Sequence, residues 1–352
     1  MIDLLVLCGG KSAEHDVSLR SAASVLRHLN RSRYRISVVG IQKDGTSYPS
    51  EELKKKLKEI PADALQFPFD SNWLCLLSRI DPAVDIVFPV LHGPYGEDGI
   101  VQGVFEALNL PYVGAGVYAS AVGMNKLCCK TILIDAGLPI LPYVSFDWLT
   151  WKKGQQECLE RAEYRLSFPM FVKPVNMGSS VGVNKSKDRH GLQEHVQVAF
   201  RYDDVILIEQ GIEAREIEIS VLGNLEPRVS LAGEIRPSRE FYSYEAKYED
   251  AASELLIPAP LSDSQMREVQ NLALKAYTAL QLEGMARIDF LMDRKTDQIW
   301  LNEPNTIPGF TAISMYPKLW EASGLPYPQL LDELIQLGFE KHRRRNRLSV
   351  ER

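Results

Sequence analysis

Cysteine is scarce in this sequence of 352 residues, and its five cysteines include no CxxC pair. Because an odd number cannot pair off completely and the spacing is scattered, we expect reduced thiols in a cytosolic protein. Long apolar runs are also missing: none reaches the roughly 18 residues that indicate a transmembrane helix. The opening MIDLLVLCGG carries an acidic third residue and too short an apolar run for a signal peptide. We therefore expect a soluble, cytoplasmic protein with no membrane partner.

Positive charge is not in excess, since the formal net charge is −6. A nucleic-acid partner is therefore not expected, and any anionic ligand must be held by local cations and backbone amides. Two charged segments have ordinary explanations. The alternating charges and isolated leucines of residues 51–60 predict a solvated helix. The basic segment KHRRRNRLSVER that closes the sequence predicts a frayed, solvated end.

Two nucleotide-binding motifs are missing as well. The sequence has no GxxxxGK[ST] phosphate loop and no GxGxxG, although an apolar strand followed by Gly9 and Gly10 opens the chain. A nucleotide-binding dehydrogenase is therefore a weak alternative interpretation. Internal repeats and low-complexity segments are not found. The composition is that of a globular protein, with 45% hydrophobic and 24% charged residues, and the length predicts two or three domains.

The first third of the chain predicts a parallel α/β unit. An apolar run at residues 4–8 ends in a glycine turn, and apolar residues at helical spacing follow from Val17 to Leu29. Further strands are predicted at residues 36–41 and 84–90. Because these strands are almost continuously apolar, they suit a parallel sheet that is covered on both faces.

The rest of the chain predicts further mixed structure. After a helix at 124–139, strands at 168–174 and 205–210 enclose another helix, and a strand follows at 216–224. This pattern predicts a smaller, partly antiparallel α+β unit. The last third predicts a helix at 263–280, strands at 285–293 and 298–304, and a final helix at 327–341.

Oxygen-donating side chains mark the two strands of the last third. Arg287 and Asp289, and then Glu303 and Asn305, are each two residues apart, so each pair faces one side of its strand. A short turn, DRKTDQ, joins the strands and is predicted to bring the pairs together. Two carboxylates and an amide suit Mg²⁺, which uses few protein ligands. A hairpin end with surface polar residues is the alternative.

Two segments of the middle third suggest a nucleotide. Lys173 ends an apolar strand, and the loop GSSVG at 178–182 is rich in N–H and hydroxyl donors that can surround phosphates. An ordinary glycine-rich turn is the alternative. The Glu-Gln-Gly break at 209–211 exposes backbone groups that can bind an adenine edge. Glu216 could then bind ribose hydroxyls.

Two other features have both an ordinary and a functional interpretation. FYSYEAKYED at 241–250 is an exposed loop or a mobile lid that carries Lys247 and Tyr248 and keeps water from a reactive intermediate. His15 and His92 stand beside glycine-rich turns. A histidine in such a place more often stabilises the turn than acts as a base.

Taken in order, six segments resemble the D-alanine–D-alanine ligase family of ATP-grasp enzymes. The similarity runs from residue 4 to about residue 340. The segments are GGKSAEHDVS (9–18), LHGPYGEDG (91–99), VKPVNMGSSVG (172–182), YSYEAKY (242–248), ARIDF (286–290) and NEPNTIPGFT (302–311). Each is weak alone, but the ordered series is specific. The resemblance implies an α/β, three-domain ATP-grasp fold with an N-terminal parallel domain.

The implied domains and activity follow from the family. The domains would be residues 1–121, 122–215 and 216–352, with first-substrate binding in the first and a lid loop at about 236–254 in the last. The implied reaction joins two D-alanines with ATP, through a D-alanyl phosphate, for peptidoglycan precursor synthesis. ATP-grasp ligases with another acceptor, D-lactate or D-serine, are the alternative. The family also implies a homodimer formed through the N-terminal domain.

The resemblance assigns roles to individual residues. Those that would contact ATP are Lys126, Lys173, Ser180, Glu209, Gln210, Ile212, Glu216 and, from the lid, Lys247. Asp289, Glu303 and Asn305 would bind two Mg²⁺ ions, with Mn²⁺ as a possible substitute and Glu303 bridging both. Glu14 would receive the ammonium group of the first D-alanine.

The remaining roles concern the two substrates. Ser179 and Tyr248 would be hydrogen-bonded around the first D-alanine, and His92 would lie beside it. Arg287 and the backbone of Gly309 would hold the developing oxyanion. Ser314 would hold the carboxylate of the second substrate. In this family a tyrosine at position 248 goes with D-alanine, rather than D-lactate, as that substrate.

Overall fold

Three β-sheets, each built from a different stretch of the chain, organise the structure. The computed structural model describes residues 1–57, 65–66, 84–236 and 254–349. Its strands are β1 (Ile2–Gly9), β2 (Tyr34–Ile41), β3 (Ile86–Val90), β4 (Tyr143–Asp147), β5 (Met170–Pro174), β6 (Asn184–Ser186), β7 (Val205–Gln210), β8 (Ala214–Gly223), β9 (Arg228–Arg236), β10 (Glu254–Leu256), β11 (Gly284–Asp293) and β12 (Ile299–Asn305).

Helices cover and connect these sheets. They are α1 (His15–His28), α2 (Ser50–Lys56), α3 (Ile100–Ala107), α4 (Val117–Met124), α5 (Lys126–Asp135), α6 (Trp148–Lys153), α7 (Gln155–Arg165), α8 (Arg189–Ala199), α9 (Asp263–Ala279), α10 (Met315–Ala322) and α11 (Tyr327–Asn346). None of the helices described here has both the length and the apolar content needed to cross a membrane.

The N-terminal sheet is parallel, with the strand order β2-β1-β3. Every residue of β1 from Leu4 to Gly9 is buried, as expected for a strand covered on both faces. The predicted α/β class and the parallel N-terminal sheet are confirmed. Helix α2 covers part of the helix predicted at 51–60, and residues 58–60 lie outside the described part.

The central sheet has the order β4-β7-β5-β6, and all its neighbours are antiparallel. The sequence predicts β5, β7 and α8 but not β4. Strand β4, YVSFD, buries only Val144 and Phe146 and is too short to give a clear alternation.

The last sheet has the order β10-β9-β8-β11-β12 and is antiparallel throughout. Strands β11 and β12 are the pair predicted to carry Asp289 and Glu303. The sequence does not predict β9, which lies between β8 and β10. Arg236, the last residue of β9, pairs with Glu254 of β10.

Residues 124–139 contain one helix, α5, as the sequence predicts, but this helix begins at Lys126 rather than at Met124. Helix α4 ends at Met124, and Asn125 is extended, with φ −80° and ψ 97°. The Asn125 side chain accepts a hydrogen bond from the N–H of Cys128 at 2.9 Å and so caps a new helix, α5. Gly137, in the left-handed region, follows the end of α5. The predicted helix is therefore confirmed, and only its start differs, because the capping residue Asn125 lies inside the predicted range.

The basic C-terminal segment is not frayed where the structure describes it, because α11 continues to Asn346. Lys341 is buried, and its ammonium group donates to the carbonyl of Gly114 at 2.6 Å. Arg344 and Arg345 form ion pairs with Glu283 and Glu106. These partners, distant in sequence, explain why residues 341–346 are helical and not frayed as predicted, although Arg343, Arg345 and Asn346 are exposed to solvent.

The N-terminal sheet shares its core with the last part of the chain. Apolar residues of β1, β3 and α1 pack in one cluster with Phe310, Tyr316 and the α11 residues Leu330 and Leu334. The central sheet has a separate cluster, formed with α7 and α8. The N-terminal sheet is therefore closed by residues that lie more than 200 positions away in sequence.

Candidate functional site

A cavity of about 600 Å³ lies between the central sheet and the last sheet. Every residue that the sequence assigns to ATP within the described part of the chain lines this cavity: Lys126, Lys173, Ser180, Glu209, Gln210, Ile212 and Glu216. Ser179 and Glu303 line it as well. The sequence did not single out Arg236, Arg294 and Lys185, which add positive charge to its wall.

Glu209 is a buried carboxylate that contacts two lysines. Its Oε2 accepts from Lys173 Nζ at 2.6 Å, and its Oε1 accepts from Lys130 Nζ. Burial opposes ionisation, but the two ammonium groups outweigh it and lower the pKa of Glu209 to about 2. Burial also opposes the charge of Lys173, yet Glu209 raises its pKa. Sequence reasoning missed Lys130.

Gln210 uses its side chain to hold a neighbouring loop. Its Oε1 accepts from the N–H of Ser167 at 2.8 Å, and its Nε2 donates to the carbonyls of Ser167 and Gly211 at 2.9 Å each. The amide group is therefore occupied by the protein. A ligand in the cavity would therefore contact the backbone at residues 209–211, where β7 ends, and not this amide group.

The glycine-serine loop between β5 and β6 reaches from the cavity wall to Glu14. Ser179 and Ser180 both have positive φ, 49° and 59°, which is uncommon for residues other than glycine. The Ser179 hydroxyl donates to Glu14 Oε1. The strained backbone thus places a hydroxyl from the central unit against a carboxylate of the N-terminal unit.

Glu14 is buried at the start of α1, where β1 has ended in two glycines. The N–H of Glu14 donates to Ser12 Oγ at 3.0 Å, which fixes the turn. Gly93 lies so close that a Cβ there would be 2.7 Å from Glu14 Oε2. Glycine is favoured at this position because its φ is 75°, in the left-handed region, and because a side chain would displace the Glu14 carboxylate.

His92 is buried, and both of its ring nitrogens contact protein groups. Nδ1 lies 2.9 Å from the carbonyl of Ile307, and Nε2 lies 3.1 Å from Ser21 Oγ. Burial lowers the pKa of the imidazole. His15 is similar, since its nitrogens contact Gly10 O and Tyr48 Oη at 2.9 and 2.8 Å. Both rings stabilise turns.

Glu97 is a further residue to which the sequence assigns no role. Its carboxylate accepts from the N–H of Gly93 at 2.6 Å and from the N–H of Ile307 at 2.9 Å. Burial, followed by the charge of Glu14, raises the pKa of Glu97 to about 8. With His92, it ties the loop at 91–99 to the loop that follows β12.

Strands β11 and β12 bring the predicted donors together. Arg287 pairs with Asn305 and Asp289 pairs with Glu303 in the strand register. The Arg287 guanidinium makes two 2.7 Å hydrogen bonds to the carboxylate of Asp289. Lys126 Nζ lies 3.6 Å from Glu303 Oε2 and donates to Met177 O at 2.5 Å.

The donor set fits a magnesium ion. Within the described residues, Asn305 Oδ1 is buried without a hydrogen-bond partner, and an amide oxygen of this kind is suited to a hard cation. No three His, Cys, Asp or Glu side chains in those ranges converge as a metal site. A magnesium site here would therefore need the Asn305 amide oxygen in addition to the carboxylates of Asp289 and Glu303.

The loop after β12 leads to the start of α10. A Cβ at Gly309 would be 2.7 Å from Ser314 Oγ, so the chain passes close to this hydroxyl. Ser314 occupies the position before the first turn of α10, and its Oγ accepts from the N–H of Thr311 at 2.9 Å. Free N–H groups at a helix start favour an anion. Lys247 and Tyr248 lie outside the described residues.

Models of one family match the chain. The model described as D-ala D-ala ligase N-terminus matches residues 3–115, and the model described as D-ala D-ala ligase C-terminus matches residues 132–336.

Individual relatives match along almost their whole length. A D-alanine–D-alanine ligase of Heliobacterium modesticaldum is 44% identical over 99% of this chain and 98% of its own. A D-alanine–D-alanine ligase of Thermoanaerobacter sp. is 49% identical over 96% of this chain and 97% of its own length. The solved D-alanine-D-alanine ligase of Coxiella burnetii has a TM-score of 0.80 at 35% identity, covering 99% and 98%. The VanG D-Ala:D-Ser ligase of Enterococcus faecalis also has a TM-score of 0.80, at 30% identity, covering 96% and 99%.

Proposed function

Because the chain belongs to the D-alanine–D-alanine ligase family, we propose that it joins two D-alanines into D-alanyl-D-alanine while ATP becomes ADP and phosphate. The observation that carries this proposal is the cavity lined by every described residue expected to contact ATP. The dipeptide would serve peptidoglycan precursor synthesis. Because the reaction consumes ATP, we infer that it takes place in the cytoplasm.

ATP would lie in the cavity between the two later sheets. Lys126 and Lys173 supply ammonium groups for its phosphates, together with the donors of the loop that holds Ser180. The backbone from Glu209 to Ile212 would bind the adenine. Glu216 would accept hydrogen bonds from the ribose. Lys247, from the lid, would contact the γ-phosphate.

Magnesium would be held by Asp289, Glu303 and Asn305, the set with an unpaired amide oxygen. When bound, Mg²⁺ neutralises phosphate oxygens and lets an incoming carboxylate approach them. Glu303 would contact two ions. Lys126, 3.6 Å from Glu303, adds a positive charge at the same place.

The first D-alanine would bind where the glycine-serine loop meets Glu14. The Glu14 carboxylate would receive its ammonium group, and the Ser179 hydroxyl, which now donates to Glu14, would help to orient it. Tyr248 would complete this group from the lid. Because both nitrogens of His92 are engaged, its role would be to shape the loop beside the substrate.

The second D-alanine would attack the acyl phosphate from the side of the loop after β12. Its amine forms the new C–N bond and loses a proton, while the acyl oxygen becomes an oxyanion. Collapse of the oxyanion then breaks the C–O bond to phosphate, which leaves. Arg287 and the backbone N–H of Gly309 would stabilise that oxyanion. Ser314 would hold the second carboxylate at the start of α10, where the helix dipole favours an anion.

The domain organisation and assembly are also proposals. The division into residues 1–121, 122–215 and 216–352 is supported by the three separate sheets, although the last sheet already begins at Ala214. The side chains of Ile100, Val117 and Tyr118 on the N-terminal unit are all exposed, and Gly99, next to Ile100 in sequence, lies close to Val117. This apolar surface supports a homodimer formed through that unit.

The proposed reaction is tested by incubating the protein with ATP, Mg²⁺ and D-alanine. We expect phosphate release that depends on D-alanine, and a dipeptide product detected by mass spectrometry. D-Lactate and D-serine as second substrates should give far less product, because the relatives from Heliobacterium modesticaldum and Thermoanaerobacter sp., at 44% and 49% identity, are named for D-alanine, whereas the D-Ala:D-Ser ligase is 30% identical. Equal turnover with L-alanine would overturn the assignment.

The metal site is tested by Glu303→Gln. The amide keeps the shape of the side chain but removes the charge expected to bridge two ions, so phosphate release should fall to background while unfolding stays cooperative. Turnover like that of the wild type would contradict the assignment of the metal ligands.

A further inference from the structure

Glu218 is a buried carboxylate at the edge of the proposed metal site, and none of the roles above includes it. It stands on β8 directly opposite Asp289, which in turn stands directly opposite Glu303. Its side chain is only 7% exposed. Because an unpaired charge in such a place is costly, Glu218 requires a cation nearby.

That cation is Arg287. Its Nε lies 3.0 Å from Glu218 Oε2 and 2.7 Å from Asp289 Oδ1. The single hydrogen of this nitrogen is donated to Asp289, so Glu218 contacts Arg287 as an ion pair from the neighbouring strand. The guanidinium therefore lies between a hydrogen-bonded carboxylate on its own strand and the charge of Glu218.

The two carboxylates differ in what else they can bind. Asp289 has Glu303 on its other side and is one of the proposed magnesium ligands. Its oxygens are then shared with an ion whose charge repels Arg287. Glu218 lies on the opposite side of β11 from Glu303, so it stays with Arg287.

We propose that Glu218 is a positioning residue that keeps the Arg287 guanidinium directed at the reacting acyl carbon while Asp289 binds the metal. This inference rests on the proposed function. Glu218 touches no substrate and exchanges no proton. Arg287 stays charged throughout and donates N–H groups to the oxyanion as it forms.

The test is Glu218→Gln, which keeps the volume and removes the charge. Because loss of orientation lowers the rate of the chemical step, kcat should fall by about 10- to 100-fold while the KM for ATP changes little. Glu218→Asp keeps the charge but retracts it, so its kcat should lie between those of the wild type and Glu218→Gln. If Glu218→Gln does not fold, Glu218→Asp is measured in its place.

A double mutant separates positioning from a general structural effect. In an Arg287→Lys background, Glu218→Gln should have almost no further effect on kcat, because the two residues act as one unit. The matched control is Glu283→Gln, which breaks a half-buried Glu–Arg pair just before β11 and should leave kcat unchanged. Additive losses in the double mutant would overturn the inference.

Metal binding gives a readout that does not depend on turnover. Electron paramagnetic resonance of Mn²⁺ with the protein and ADP should give the same affinity for the wild type and Glu218→Gln. A loss of more than tenfold would make Glu218 a metal ligand and refute the positioning role. If the wild type forms no dipeptide, the proposed function fails; if only Glu218→Gln equals an active wild type, this inference alone fails.

Discussion

At the scale of single residues, Glu209 illustrates how a charge can be kept in the interior beside a ligand cavity. Its side chain is 2% exposed and that of Lys130 is 3% exposed. Lys130 faces away from the solvent and satisfies one oxygen, which leaves the other for Lys173 at the cavity wall. The cluster therefore fixes Lys173 in place before any phosphate arrives.

This cluster predicts a pH-dependent contribution to stability. The pKa of Glu209 is lowered from 4.5 to about 2, so the unfolded chain binds its proton first as the pH falls. The stabilisation is complete above pH 4.5 and is lost as the pH falls towards 2. Glu209→Gln should lower the unfolding free energy at pH 7 by on the order of 3 kcal/mol.

Denaturant unfolding of the wild type and Glu209→Gln between pH 7 and pH 2 measures this difference. We expect it to shrink below pH 4.5. Glu163→Gln, which breaks a partly exposed pair with Arg189, is the control and should cost less than about 1 kcal/mol. A difference in unfolding free energy between the two proteins that stays constant with pH would show that Lys130 and Lys173 do not keep Glu209 ionised in the folded protein.

At the scale of elements, the last helix ties distant parts of the chain together. Burial lowers the pKa of Lys341 to about 7, and its ammonium group also lies 3.5 Å from the centre of the Tyr112 ring. Arg344 forms an ion pair with Glu283, just before β11, and Arg345 forms one with Glu106 of α3. We call these contacts of Lys341, Arg344 and Arg345 the clasp, because they join the final turns of α11 to the N-terminal unit and to the segment before β11.

Two truncations test this clasp. Removal of residues 347–352 leaves every one of these contacts intact, so the melting temperature should change little. Removal of residues 341–352 leaves the carbonyl of Gly114 and the carboxylate of Glu106 without these partners, and the melting temperature should fall by several degrees. Equal melting temperatures for the two truncated chains would refute the clasp.

The elements also show what sequence alone can predict. Strands with continuous apolar runs, such as β1 and β7, were predicted, and the spacing of Asp289 and Glu303 was enough to place them on neighbouring strands. Short strands such as β4 were missed, because few residues carry their pattern. Asn125 was not recognised as a cap inside a helical pattern.

The site residues that the sequence did not predict were missed for a different reason. Lys130 meets Glu209 across 79 positions, and Glu97 meets Ile307 across 210. Lys130 stands in an unremarkable local sequence, and Glu97, although it lies in the segment LHGPYGEDG, has no role that its neighbours in sequence reveal. The importance of each residue comes from its distant partner. Contacts of this kind depend on the packing of whole units, which no local periodicity encodes.

At the scale of the whole molecule, the position of the cores predicts how the chain unfolds. Leu334 of α11 is fully buried in the cluster that closes the N-terminal sheet, and Leu192 of α8 is fully buried in the separate central cluster. Leu334→Ala should cost about 2–5 kcal/mol and speed hydrogen exchange in β1 and β3. Leu192→Ala, the matched variant, should speed exchange in β5 and β7 instead. Exchange that rises equally in both sheets for either variant would mean that the two cores unfold as one unit.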